Sequence, residues 1–151
     1  MKPNIFLTIK DFIKRHGMIL LSGVFCIVID QILKQIARGS DEPQYLIPQI
    51  IGWEYFENLG IAFGIPLPQI IVIPLSVLII CVGVYYLSKA TYTRYKVIGA
   101  MCVIAGALSN LIDRFIYGFT IDYIRIVTSI LNLADILIIV GALMLLKRSK
   151  E

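Results

Sequence analysis

QIIVIPLSVLIICVGVYYL, residues 69–87, runs without a single charge. A bilayer hydrocarbon core takes roughly 20 apolar residues of helix, so this stretch reads by itself as a membrane span. Working outward, three further candidates appear at 17–36, 97–116 and 126–146. The first is uninterrupted only to Ile29, and the last two carry polar residues near one end. Composition agrees with immersion in lipid: of 151 residues, 58% are hydrophobic and 16% charged, and the mean hydropathy is +0.85. A soluble domain usually carries about 25% charged residues to solvate its surface. Length suits one domain, and no repeat, low-complexity tract or linker divides it. The expected fold class is therefore an all-α membrane protein, a single integral membrane domain over 1–151.

The charges set a topology. Lys2, Lys10, Lys14 and Arg15 precede the first span. Lys89, Arg94 and Lys96 separate the second and third, and Lys147, Arg148 and Lys150 follow the fourth. With four crossings all of these fall on one side, where only Asp11 and Glu151 are acidic. The positive-inside rule places that side, with both termini, in the cytoplasm. The net charge of +4 is thus a topology signal, and no nucleic-acid partner is expected. Ala37 and Gly39 could pass for a leader-peptidase cleavage site. Asp30 and Lys34 separate them from the apolar run and three more spans follow, so the first helix reads as uncleaved. The three cysteines, Cys26, Cys81 and Cys102, lie inside apolar runs with neither disulfide nor zinc spacing. His16, beside Lys14 and Arg15, reads as an interfacial polar residue, and no metal site is expected.

The outer stretch 37–68 contains Pro43, Pro48, Pro66 and Pro68, with Trp53, Tyr55 and Phe56 between them. Residues 53–57 alternate weakly, as a strand would, and Trp and Tyr favour the membrane–water interface. A small structured cap on the outer surface is expected there.

Ionisable groups within spans cost about 2.5–3.5 kcal/mol each at the bilayer centre. Here they cluster near the outer helix ends. Asp30 and Lys34 are four apart on one face of the first helix, and Asn110 and Asp113 three apart on the third, with Arg114 next. Asp122 lies in the outer connection, and Asn132 and Asp135 are three apart on the fourth. Each alone has a structural explanation, as a helix pair, an interfacial cap or a loop residue. Their convergence on one layer favours a site. Asp122 and Asp135 could meet across the connection; close carboxylates share a proton, so one serves as base and the other as acid. Such a pair activates water against an amide carbonyl. The competing reading is a small proton-coupled transporter or channel, which would want polar groups through the whole bilayer depth. The cytoplasmic halves of the second, third and fourth spans have almost none. A third reading, a non-catalytic assembly factor, would tolerate asparagine at both aspartates.

Four blocks carry a family resemblance. Asp30-Gln31-Ile32-Leu33-Lys34 resembles a DQxxK block, and Asn58-Leu59-Gly60-Ile61-Ala62-Phe63-Gly64 resembles NxGAAFG. Gly106-Ala107-Leu108-Ser109-Asn110-Leu111-Ile112-Asp113-Arg114, continuing through Gly118 to Ile121-Asp122-Tyr123, resembles GAxGNxxDRxxxGxVxDF. Asn132-Leu133-Ala134-Asp135 resembles FNxAD. In this order on a four-span frame, they resemble the type II signal peptidases, the bacterial lipoprotein signal peptidases. The departures are Ser109 for Gly, Ile61 for Ala, Leu131 for Phe and Tyr123 for Phe; none touches a carboxylate, and Ser109 and Ile61 are expected to narrow the site slightly.

The resemblance implies that Asp122 and Asp135 are a catalytic dyad. Asn110, Asp113, Arg114 and Asn132 would be supporting polar residues. Asp30, Lys34 and Asn58 would hold the dyad region or the substrate backbone. It further implies a four-helix bundle with a small extracytoplasmic β-cradle and a short helix, in the bacterial cytoplasmic (inner) membrane. The substrates would be diacylglyceryl-modified prolipoproteins cut before the lipobox cysteine. No cofactor is implied; the partners are these substrates, membrane lipid and globomycin-type inhibitors, and the chain is expected to act as a monomer.

Overall fold

A computed structural model of the chain describes residues 9–61, 65–87 and 93–147. Among these residues run four helices, α1 (Ile9–Arg38), α2 (Gln69–Leu87), α3 (Arg94–Tyr117) and α4 (Leu133–Leu146). Four strands accompany them: β1 (Gln44–Ile47), β2 (Ile51–Asn58), β3 (Thr120–Ile126) and β4 (Ser129–Leu131). The first three helices are long and apolar enough to cross a membrane, and α4 is a shorter apolar helix. The chain is thus mostly helical with a small antiparallel sheet. The separate short helix implied by the resemblance has no counterpart among the described residues.

Local chemistry sets the boundaries. Pro66 and Pro68 precede α2, whose first backbone bonds run from Ile71 and Val72 N–H to the Pro68 carbonyl. Gly118 ends α3 in the left-handed region (φ 82°), and its N–H donates to the Arg114 carbonyl. A Cβ would strain that conformation, so glycine makes the turn that sends the chain straight into β3. Asn132 starts α4, its side chain accepting from Asp135 N–H at 2.8 Å.

The fourth expected span, 126–146, is two kinds of structure. Its first part completes β3 and forms β4, and the helix begins only at Leu133. Ile121, Ile124, Ile126, Val127, Thr128 and Ile130 are β-branched and pack well on a pleated surface. A hydropathy window cannot separate such a run from the apolar helix that follows. The sheet therefore draws on two regions of sequence: its order is β1-β2-β3-β4, all neighbours antiparallel, and the stretch 37–68 supplies only two of the four strands. Phe56 pairs with Asp122 and Asn58 with Thr120, which makes Asn58 a diagonal neighbour of Asp122 on one face.

Polarity is inverted relative to a water-soluble domain. Ile70, Met18 and Phe115 are 83%, 77% and 68% exposed, whereas Asp30, Lys34, Asp113, Asp122 and Asn132 are wholly buried. At the opposite end from the sheet, Lys14 and Arg15 of α1 line a cavity with Arg94 of α3 and buried His16. Lys96 of α3 donates to the carbonyls of Leu145 and Lys147 at the end of α4. The starts of α1 and α3 and the finish of α4 are therefore neighbours. Lys2, Lys89, Arg148 and Lys150 lie outside the described residues.

Helices α3 and α4 approach closely through glycines. A Cβ on Gly106 would lie 2.4 Å from the Ala134 carbonyl oxygen, and one on Gly141 would lie 2.5 Å from the Gly99 carbonyl oxygen. Backbone cannot swing aside as a side chain can, so small residues are required at the crossing. Gly106 is one turn before Asn110, so parting the helices there also parts Asn110 from α4. The expected result for Gly106→Ala is a destabilisation of about 1–3 kcal/mol in thermal unfolding. Gly17→Ala, where a Cβ meets nothing within 4 Å, should melt with the parent.

Candidate active site

Each element delivers part of one buried polar layer. Asp122, on β3, accepts hydrogen bonds from Asn58 Nδ2 (2.8 Å, end of β2) and Asn132 Nδ2 (2.6 Å). Asp135, in the first turn of α4, accepts from Asn110 Nδ2 of α3 at 2.8 Å. Asn132 joins the two carboxyl-bearing elements, since its Nδ2 donates to Asp122 while its Oδ1 accepts from Asp135 N–H. Asn132 Nδ2 also lies 3.0 Å from Asn110 Oδ1.

A second tier of charge lies behind. Lys34 Nζ is 2.8 Å from Asp30 Oδ2 and 2.8 Å from Asp113 Oδ2, and donates to Asn110 Oδ1 at 3.0 Å. Lys34 thereby ties α1 to α3, and through Asn110 to the carboxyl of Asp135. Asp113 Oδ2 also accepts the Ile121 N–H at 3.1 Å, holding the strand beside Asp122. Arg114 stands differently: its Nη2 donates to the Gly60 carbonyl at 3.0 Å, while Gly60 N–H donates to Asn58 Oδ1 at 2.9 Å. Arg114 thus braces the 58–60 turn, and it makes no ion pair with either carboxylate among the described residues.

All nine residues singled out from sequence enter this assembly. Three more were missed. Gln31, inside the first block, donates to Ser109 and to Asp113 Oδ1. Ser109 does not narrow the site; its hydroxyl donates to Asp30 Oδ2 at 2.6 Å. Tyr123 donates to Asp30 Oδ1 at 2.9 Å and packs against Trp53, the ring centroids 4.7 Å apart and the planes tilted by 40°. Their signal is position in the quoted blocks: Gln31 and Tyr123 adjoin Asp30 and Asp122, and Ser109 adjoins Asn110. Residues 62–64 of the second block lie outside the described residues.

Next to this layer is a groove of about 270 Å³ between α2, α3 and α4. Asp135, Asn110 and Arg114 make its polar side, and Ile61, Val72, Ile79 and Ile139 are among its apolar walls. Among the described residues Asp135 Oδ2 accepts no hydrogen bond, which leaves it available to a reactant. Asp122 lies on the strand, outside the helices. Its carboxyl is pushed up to about 7, first by burial and then by the Asp135 charge, against the opposing pull of Asn58, Lys34 and Asn132. At neutral pH this carboxyl holds a proton much of the time. A protonated acid bridged by one asparagine to a second carboxyl, beside an apolar groove, can both give a proton to and take one from a bound amide and water.

Residues 23–149 match the family model described as Signal peptidase (SPase) II. The chain is 33% identical over 141 residues to the lipoprotein signal peptidase of Clostridium novyi (strain NT), covering 85% of this chain and 94% of that protein. It is 34% identical over 134 residues to the lipoprotein signal peptidase of Streptococcus pneumoniae (strain ATCC BAA-255 / R6), covering 85% and 86%. A solved bacterial membrane enzyme, determined by the in meso method at 2.3 Å resolution, superposes with a TM-score of 0.78 at 25% identity, covering 89% of this chain and 94% of that one.

Proposed function

The chain belongs to the signal peptidase II family, and from that premise we infer that Asp122 and Asp135 are its catalytic pair. It is a bacterial membrane protein and an aspartic endopeptidase that removes the signal peptide from prolipoproteins, cutting before the lipobox cysteine. The observation that carries the assignment is Asn132, which binds the Asp122 carboxyl and the Asp135 N–H at once.

The ionised carboxyl of the pair draws a proton from water as its oxygen adds to the scissile carbonyl carbon. The protonated carboxyl gives its proton to the carbonyl oxygen. Collapse of the tetrahedral adduct returns a proton to the leaving nitrogen as the C–N bond breaks. The products are a signal peptide with a new carboxylate and a lipoprotein with a free cysteine amine. Asn58, Asn110 and Asn132 hold the carboxyls, Lys34 with Asp30 and Asp113 holds the asparagines and the strand, and Arg114 holds the 58–60 turn.

Four crossings, with both termini in the cytoplasm and the sheet as an outer cap, fit the adjacency of the three basic helix ends. In this arrangement α4, about 21 Å long at 1.5 Å per residue, is the fourth crossing. The membrane is the cytoplasmic (inner) one, and the substrate's diacylglyceryl chains stay in its outer leaflet while the peptide enters the groove of a monomeric enzyme. Globomycin-type cyclic peptides compete for that groove. Purified protein incubated with a diacylated prolipoprotein should yield the shortened product, and globomycin should block it; failure to shorten the substrate in active lipid would defeat the reading.

A pH dependence follows. The pair works with one proton, so cleavage should decline as pH rises through about 7, where Asp122 ionises beside Asp135. Stability moves the same way. Between the ordinary value of 3.8 and about 7, the unfolded chain has lost this proton while the folded chain keeps it, so stability falls as pH rises through that window. Thermal unfolding in detergent across this range checks it: the slope should flatten in Asp122→Asn.

A further inference from the structure

Helix α4 begins with N–H groups that have no partner inside the helix, and they end on side chains from three elements. Leu133 N–H donates to the Tyr123 hydroxyl at 3.1 Å, from β3. Ala134 N–H donates to Asp30 Oδ1 at 3.3 Å, from α1. Asp135 N–H donates to Asn132 Oδ1 at 2.8 Å. A helix is ordinarily capped by its own preceding residue. Here two of the three acceptors come from elsewhere in the fold, and they touch each other, since the Tyr123 hydroxyl donates to the same Asp30 Oδ1 at 2.9 Å.

We propose that Tyr123 is a positioning residue for the reaction, its hydroxyl fastening the strand that carries Asp122 to the helix turn that carries Asp135. Tyr123 is wholly buried, adjacent to Asp122, and its ring is fixed against Trp53. Burial and the Asp30 carboxylate push the phenol above its ordinary value, which keeps it protonated and donating. One oxygen thus accepts from α4 and donates to α1, and neither bond can be made by phenylalanine. Without the hydroxyl, the Leu133 N–H is orphaned and the turn bearing Asp135 can shift relative to Asp122. A displacement of about 1 Å at a reacting group costs up to 10²-fold in rate.

The inference rests on the Asp122–Asp135 reading, and the test separates the two. In purified, lipid-reconstituted protein, Tyr123→Phe should lower kcat about tenfold and leave KM unchanged, since Tyr123 is not part of the groove lining. Trp53 is the single tryptophan, so its emission reports the contact with the residue 123 ring, and that emission should be unchanged because phenylalanine keeps the contact. Ser109→Ala removes the other hydroxyl on Asp30 without touching α4, and should lower kcat less than Tyr123→Phe does. Parent-like kcat in Tyr123→Phe overturns the proposal, as does a loss of activity that tracks a shifted Trp53 emission. An active Asp122→Asn control would instead overturn the dyad assignment beneath it.

Discussion

Asp135→Asn should abolish cleavage of a diacylated prolipoprotein while the protein remains folded in the membrane, and Asp122→Asn should do the same at a greater cost to the fold. The two amides differ in what they disturb. Asp135 Oδ1 accepts from Asn110, a bond an asparagine oxygen can keep, and its Oδ2 accepts nothing among the described residues, so an NH₂ group there displaces no donor seen in the structure. The chemistry alone is removed. Asp122 accepts from a donor on each oxygen, Asn58 on Oδ2 and Asn132 on Oδ1, so an amide sets its own NH₂ against one of them. Removing one member of an acid–base pair costs on the order of 10²–10⁴ in rate. Counting shortened product per enzyme in lipid measures it, alongside a thermal melt to show that Asp135→Asn retains the fold. Near-parental processing by either variant would refute the pair.

Lys34→Met gives the largest loss of stability expected in the site. Lys34 is wholly buried between two wholly buried carboxylates, Asp30 on its own helix and Asp113 on α3, at 2.8 Å from each. Methionine fills similar volume but leaves both carboxylates uncompensated, and it orphans Asn110 Oδ1 of one of its two donors. Breaking a buried pair from one side costs about 3–5 kcal/mol, far more than the pair contributes over an apolar replacement. Because the cost lies in the stranded charge, adding Asp113→Asn to Lys34→Met should recover part of it. Thermal unfolding in one detergent compares the three proteins; a Lys34→Met variant that melts with the parent would contradict the argument. Activity should fall with it, since Lys34 reaches Asp135 through Asn110.

Sequence and structure part company at definite places. The uncharged run 69–87 is read to its ends because no charge interrupts it and Pro66 and Pro68 stop it on one side; Pro74 inside it does not break α2. The layer of Asp30, Lys34, Asn110, Asp113, Asn132 and Asp135 is equally legible, because helical spacing puts each pair on one face and charge within a span demands a partner. The start of α4 is not, since hydropathy rises alike over β-branched strand and apolar helix. The strand role of 120–131 is set by pairing with β2, more than sixty residues earlier for Asn58 and Asp122, which local pattern does not encode. Arg114 shows the same limit: its charge is visible in sequence, but its partner is a backbone carbonyl at Gly60 rather than a carboxylate. Tyr123 looks like a conservative aromatic until its hydroxyl is seen at two neighbouring elements.

The amide of Asn110 is committed at both ends, its Nδ2 to Asp135 and its Oδ1 to Lys34 and Asn132, yet it also forms part of the groove wall. A drug seated against that wall would meet a residue whose exchange removes a donor from Asp135 and one of three partners from the buried Lys34. Resistance by target mutation is therefore channelled toward the hydrocarbon flank, where Ile61, Val72, Ile79 and Ile139 can trade one methyl group for another at small cost. A compound that draws its grip from the asparagine side and leaves those walls lightly touched gives escape mutants the least to work with.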